Sequence, residues 1–164
     1  MNNPGTLYLV CGKMAAGKST LAMELADRRN ALLLSEDRWL AALYPDSVRD
    51  VATYVQYSTR LKSVLEAHIV DLLRRGVSMV LDFPANTLRQ REWMRGLITK
   101  TGAPHELHYL VVPDAVCKAR LAKRAQEQPR RAATDTVEMF ERITAHFQAP
   151  TPEEGFNLIR HEHS

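Results

Sequence analysis

Long apolar runs are missing from this 164-residue chain, and with them any segment of about 20 residues able to cross a bilayer as a helix. Cysteine is scarce too. Cys11 and Cys117 are the whole complement, and their isolation excludes a zinc ribbon or a CxxC redox centre and predicts two buried free thiols with no disulfide. Aromatic residues amount to 7%, and no basic stripe interleaves with them as a platform for stacking single-stranded nucleic acid requires. Neither sign of charge dominates: the formal net charge of +3 is too small to imply a nucleic-acid partner by itself. The six histidines form no ligand set. His68 falls on an apolar stripe and is expected in the core, His105 and His108 flank a strand, and His161-Glu162-His163 reads as a terminal tail. Met1 to Gly5 carries neither a basic leader nor an apolar stretch, so a cytoplasmic protein with no membrane contact is expected.

What remains fits one α/β domain spanning 1–164. Thr6 to Cys11 is a continuous apolar strand of the kind a parallel sheet buries on both faces. Further strands are expected at Ala31–Ser35, Val77–Asp82, Leu107–Val112 and Phe156–Arg160. Between them lie helices: one from Leu21, one along the stripe Tyr54, Tyr57, Leu61, Val64, Leu65, His68, Leu72 and Leu73, and one opened by Thr87 with Gln90 as a capping box and closed by Gly102. An Arg-rich helix follows Pro113, and a last one opens at Asp135 with Glu138 and runs to about Phe147. Strands alternating with helices imply a layered fold with a parallel sheet and right-handed crossovers, whose ligands collect at the carboxyl ends of the strands.

Glycine is sparse, at 7 residues, yet two stand in one short motif. Gly12-Lys13-Met14-Ala15-Ala16-Gly17-Lys18-Ser19 is a complete G-x-x-x-x-G-K-[ST] phosphate loop, set between an apolar strand and a helix as its mechanics require. Backbone N–H groups turned inward from Gly12 to Ser19 cradle phosphates, Lys18 reaches the β- and γ-phosphates, Ser19 ligates Mg²⁺, and the helix N-terminus sets partial positive charge behind the anion. The motif implies ATP or a similar nucleoside triphosphate as ligand.

Two carboxylates stand at strand ends. Asp82 closes the run Met79-Val80-Leu81, an apolar strand ending in an acid, where a carboxylate helps hold Mg²⁺ beside a phosphate loop. Asp37, just past the second strand, suits two readings: the base that orients an acceptor hydroxyl and takes its proton, or an ordinary acid in the first turn of a helix capped by Ser35. Arg38 beside it suits an anionic group of the acceptor or a pairing with an acid. Tyr54 and Tyr57 are candidate walls of an acceptor pocket. Lys118, Arg120, Lys123, Arg124, Arg130 and Arg131 form the basic cluster. It is either a solvated face or a lid, about 124–133, whose guanidiniums stabilise charge on a transferring phosphoryl group.

The run from Leu7 through Gly17-Lys18-Ser19-Thr20, then Ser35-Glu36-Asp37-Arg38, then Val80-Leu81-Asp82, then Arg120 and Arg124, resembles the small bacterial P-loop kinases related to the kinase domain of polynucleotide 5′-kinases, zeta toxins and chloramphenicol phosphotransferases. The resemblance covers residues 6 to 160. It implies a three-layer P-loop kinase fold with five parallel strands in the order 2-3-1-4-5 and an Arg-rich lid. It further implies Asp37 as base, Arg38 on an acceptor phosphate, and lid arginines at Arg124 and Arg130. A small-molecule kinase is therefore expected, with an RNA or DNA 5′-hydroxyl kinase as the second reading and an ATP-binding switch or ATPase acting on a protein partner as the third. Neither the acceptor nor the oligomeric state follows from the residues.

Overall fold

The computed structural model describes residues 3–163. A five-stranded parallel sheet runs in the order β2-β3-β1-β4-β5, as the resemblance implied. The strands are β1 (Leu7–Cys11), β2 (Leu32–Ser35), β3 (Met79–Asp82), β4 (His105–Val111) and β5 (Leu158–Glu162). β1 lies at the centre, with Leu7 paired to Met79 on one side and to His105 on the other. All five of its residues are buried, which is why it reads as an unbroken apolar run rather than an alternating one.

Alternation along the strands sends side chains to two different layers. Leu7, Leu9, Cys11, Met79, Leu81 and Leu107 pack on one face with Leu61, Leu65, Ile69 and Leu73 of α3 (Val51–Arg74) and Met94 and Leu97 of α4 (Leu88–Thr101). Tyr8, Val10 and Val80 face the other way, onto Ala22 and Leu25 of α1 (Lys18–Arg29). On that second face Cys117 and Leu121 of α5 (Asp114–Glu127) join Phe140 of α6 (Val137–Thr144). A short α2 (Glu36–Leu43) follows β2 directly. Among the described residues no helix is long and apolar enough to cross a membrane.

Caps fix the helix starts. The Thr87–Gln90 capping box is present, and Gly102 ends α4 with φ 65. α3 opens on a second box, Asp50 with Thr53. Its apolar seam differs from the expected stripe, because the buried residues step by four through Leu61, Leu65, Ile69 and Leu73. Val64 and His68 lie one position earlier, rotated about 100° around the helix, and both are exposed. His68 is therefore not a core residue.

The bounds of two elements differ from those expected. α6 is capped by the Thr136 hydroxyl, which accepts the Met139 N–H, because Asp135 is buried and turned instead toward Arg124. The helix ends at Thr144 rather than about Phe147. β5 begins later than the expected Phe156 and takes in His161, whose Nε2 lies 2.8 Å from Nδ1 of the buried His108 in β4. The expected tail is thus in part an edge strand.

Candidate active site

At the carboxyl end of β1 the chain must turn sharply into α1, and two glycines permit it. Gly17 takes φ 104 as the residue before α1, a left-handed conformation that other residues adopt only with strain. Gly12 is packed so tightly that a Cβ would stand 3.1 Å from the Ala16 Cβ and 3.3 Å from that of Leu110. No side chain caps the first turn of α1, so its leading N–H groups remain available to an anion.

Three side chains brace this loop. Lys18 Nζ donates to the Gly12 carbonyl at 2.7 Å, Arg120 Nη1 donates to the carbonyls of Ala15 and Ala16 at 3.2 and 3.3 Å, and Asn86 Oδ1 accepts the Gly12 N–H at 3.1 Å. Lys13 points outward to Asp114, at 2.7 Å. Met14 and Ala15 pack beside Ala16 and Cys117. Thr20 is exposed in the first turn of α1.

Ser19 and Asp82, from different crossovers, meet directly: the Ser19 hydroxyl donates to Asp82 Oδ2 at 2.9 Å. Asp37 lies in the first turn of α2, behind Ser35, whose hydroxyl caps that helix by accepting the Arg38 N–H. Asp37 and Arg38 are exposed and close enough to act electrostatically on Asp82. Burial pushes the Asp82 carboxyl up, Ser19 opposes this, and Asp37 adds to it, with Lys18 and Arg38 pulling the other way. Lys18 is pushed down by burial, while Cys11, Asp82 and Asp37 hold its charge. Lys18, Ser19, Asp37, Arg38 and Asp82 therefore form one cluster with two acids and two cations at the end of the sheet.

The arginines are not brought together in the same way. Arg120 touches the loop, whereas Arg124 forms a two-point ion pair with Asp135, Nε to Oδ2 at 2.5 Å and Nη2 to Oδ1 at 2.9 Å. Arg130 and Arg131 stand exposed on a single 3-10 turn, Pro129–Arg131. Tyr57 packs on Tyr44 with ring centroids 4.3 Å apart. Its helical neighbour Tyr54, not Tyr57, lines the adjoining cavity between α3 and α4.

Several residues near the site were not legible as such. Glu36 is buried, accepting from the Tyr54 hydroxyl at 2.5 Å and from Ser58 at 2.8 Å. Its position four before the buried Leu40 was the available signal. Asn86 lies in the loop after β3, where only its place beyond a strand end marks it. Arg91 is buried on α4, donating to Glu154 at 2.7 Å and to the Ala85 carbonyl at 2.8 Å. It sits three before Met94 and six before Leu97 on one buried face.

Comparisons with known proteins bear on the fold that carries this site. A candidate kinase from Chloroflexus aurantiacus superposes with a TM-score of 0.75 at 21% identity, covering 98% of this chain and 89% of that one. The Mycobacterium tuberculosis APS kinase CysC, solved in complex with AMPPNP and APS, gives 0.66 at 20% identity over 98% and 90% of the two chains. A chain of the Pnkp1/Rnl/Hen1 RNA repair complex gives 0.63 at 19% identity, over 90% of this chain and 48% of that one. At such identities the likeness is one of fold. A search of curated proteins found no match. A family profile described as an AAA domain matches residues 7–150, so the chain belongs to that AAA-domain family of phosphate-loop proteins.

Proposed function

We propose that this protein is an ATP-dependent phosphotransferase that moves the γ-phosphate of ATP to a hydroxyl of a small-molecule acceptor. The observation that carries the reading is the meeting of a complete phosphate loop with Asp37 and Asp82 at one end of the sheet, beside an open cavity of about 520 Å³. The kinase-like fold supports it, and within that fold Asp37 is read as the base rather than as a helix-opening acid alone. Asp37 takes the proton of the acceptor hydroxyl as its oxygen bonds to the γ-phosphorus, the bond to the bridging oxygen breaks, and ADP leaves with the electron pair.

Ser19 and Asp82 present hard oxygen donors 2.9 Å apart beside the loop, a donor set that suits Mg²⁺. Bound there with ATP, Mg²⁺ would neutralise charge on the phosphate oxygens. Lys18 binds the β- and γ-phosphates and Gly12 to Thr20 wraps them. Arg120 steadies the loop and contributes to nucleotide binding. Arg38 takes an anionic group of the acceptor, and Tyr57 holds the wall of aromatic side chains on that side through Tyr44. The segment 124–133 acts as the lid of a single domain spanning 1–164, with Arg124 and Arg130 stabilising charge that develops on the phosphoryl group. The free thiols Cys11 and Cys117 suit a reducing cytoplasm.

Incubating the protein with γ-labelled MgATP and a panel of hydroxyl compounds and 5′-hydroxyl oligonucleotides tests the reading. Label on a small molecule is the expected result. Label on oligonucleotides alone would make it a 5′-end kinase, a reading favoured by the fold shared with the RNA repair chain. Release of free phosphate with every compound would replace transfer by an ATPase or switch that acts on a protein partner.

A further inference from the structure

The cavity between α3 and the start of α4 is lined by Tyr54, Ser58, Lys62, Thr87, Arg89 and Trp93, among others. Its walls are linked to the active site through two residues next in the chain to site residues. Tyr54 and Ser58 hold Glu36, the neighbour of Asp37, and Thr87 follows Asn86, which holds the Gly12 N–H. Its volume is that of a small-molecule site.

The charges in it do not balance internally. Among the described residues neither Lys62 nor Arg89 forms an ion pair. Lys62 Nζ lies 5.0 Å from the Trp93 ring centre, and burial pushes its ammonium pKa down, with Glu36 opposing and Arg89 adding to the fall. The nearby acids are otherwise engaged: Glu36 by its two hydroxyl donors, and Glu66 by Lys100 at 3.3 Å. Glu66, the one carboxylate in the lining, is thus taken, and the Ser58, Thr59 and Ser63 hydroxyls already donate to Glu36 and to the Val55 and Arg60 carbonyls. Lys62, Arg89 and the Thr87 hydroxyl, which accepts the Gln90 N–H and keeps its own proton, are left as donors for a tetrahedral oxyanion.

We infer that the acceptor is a small molecule bearing a phosphate or sulfate ester, gripped in this cavity by Lys62 and Arg89, with its reactive hydroxyl extending past Tyr54 toward Asp37. This deepens the phosphotransferase reading and rests on it for the identity of the ligand as an acceptor. Trp93 forms the wall against which the body of the molecule packs.

The two tryptophans of the chain are Trp39 and Trp93, so a Trp39→Phe background leaves Trp93 as the sole indole reporter. With the phosphate loop saturated by Mg-AMPPNP, ribose 5-phosphate and inorganic phosphate should quench Trp93 saturably and ribose should not. Lys62→Met and Arg89→Met should each weaken ribose 5-phosphate binding roughly tenfold or more, the worth of a hydrogen bond to a charged group, with AMPPNP affinity unchanged. Equal responses to ribose and ribose 5-phosphate, or affinities unmoved by both substitutions, would overturn the inference. Binding of a single-stranded oligonucleotide without binding of ribose 5-phosphate would overturn it as well. Label transfer to neutral hydroxyl compounds, with Trp93 blind to phosphate, sinks this inference and leaves the kinase standing. Anion binding that depends on Lys62 and Arg89, with no transfer to any compound, sinks the kinase and leaves an anion site.

Discussion

Asn86 accepts the backbone N–H of Gly12 at 3.1 Å, tying the first residue of the phosphate loop to the segment that leads into α4. The same side-chain oxygen also receives the Cys11 thiol at 3.6 Å, and the Asn86 N–H is held by Gln90 at 2.9 Å. The phosphate loop and the start of α4 thus share one amide.

Removing that amide should be costly. Asn86→Ala strands the N–H of the buried Gly12, so stability should fall by about 1–3 kcal/mol, while Asn86→Asp, which keeps an acceptor, should lose less. Urea unfolding of the two variants measures the difference, and equal losses would show that the Gly12 bond is not what Asn86 contributes.

Lys18 donates to a loop carbonyl in this structure and is expected to turn to the phosphates when they bind. Lys18→Ala should therefore weaken MgATP binding and abolish turnover. Calorimetric titration decides it: parental affinity in the variant would mean that the loop is not a phosphate cradle.

Adjacent acids should behave oppositely. Asp37 is exposed at the site, so Asp37→Asn should keep the fold and ATP affinity while cutting transfer roughly 10²-fold or more. Glu36 is buried under Tyr54 and Ser58, so Glu36→Ala should leave their hydroxyls unpaired and lower the melting temperature. Thermal scans beside activity assays separate the two, and an Asp37→Asn enzyme at the parental rate would reduce Asp37 to a helix-opening acid.

Arg124 is held by Asp135 with the carboxylate almost fully covered. If Arg124 leaves this pair to meet the γ-phosphate, the segment from 124 to 133 should exchange amide hydrogens more slowly once AMPPNP binds. Arg124→Ala and Arg130→Ala should lower the rate more than they weaken ATP binding. Unchanged exchange together with full activity in both variants would leave the cluster as a solvated basic face.

The β4–β5 edge carries a pH dependence of definite sign. Burial and then His108 push the His161 pKa down. The unfolded chain therefore binds a proton more readily, and the stability this group contributes is complete above about pH 6.5 and lost as pH falls below it. Asp82 and Glu36, pushed up by burial, work in the opposite sense, so the histidine is isolated by comparison. His161→Asn should flatten the fall in melting temperature between about pH 7 and pH 5 relative to the parent. An unaltered profile would remove His161 from the account.

The parts legible in the sequence are those where one local rule acts alone. The phosphate loop, the Thr87–Gln90 cap and the buried β1 follow from spacing, capping and hydrophobicity, and the strand order followed from family resemblance. What escaped depends on partners distant in the chain. Asp135 looked like a cap until Arg124 claimed it, and His161 looked like a tail until it lay beside His108. Val64 and His68 fitted a stripe that the sheet, by taking Leu65 and Ile69, rotated out of use. Lys62 and Arg89 were unmarked because nothing local shows that two cations on different helices will share one cavity.

The central place of β1 also bears on biosynthesis. The strand is translated ahead of both its neighbours, which pair with it through Met79 and His105, so the phosphate loop leaves the ribosome long before Asp82 and Arg120 exist to complete it. A nascent chain halted within α4 would offer the Leu7–Cys11 edge, apolar and awaiting β4, to any other unfinished strand. Nucleotide added to such a stalled chain would find no Arg120 behind the loop, so ligand rescue of folding should begin only once α5 has emerged.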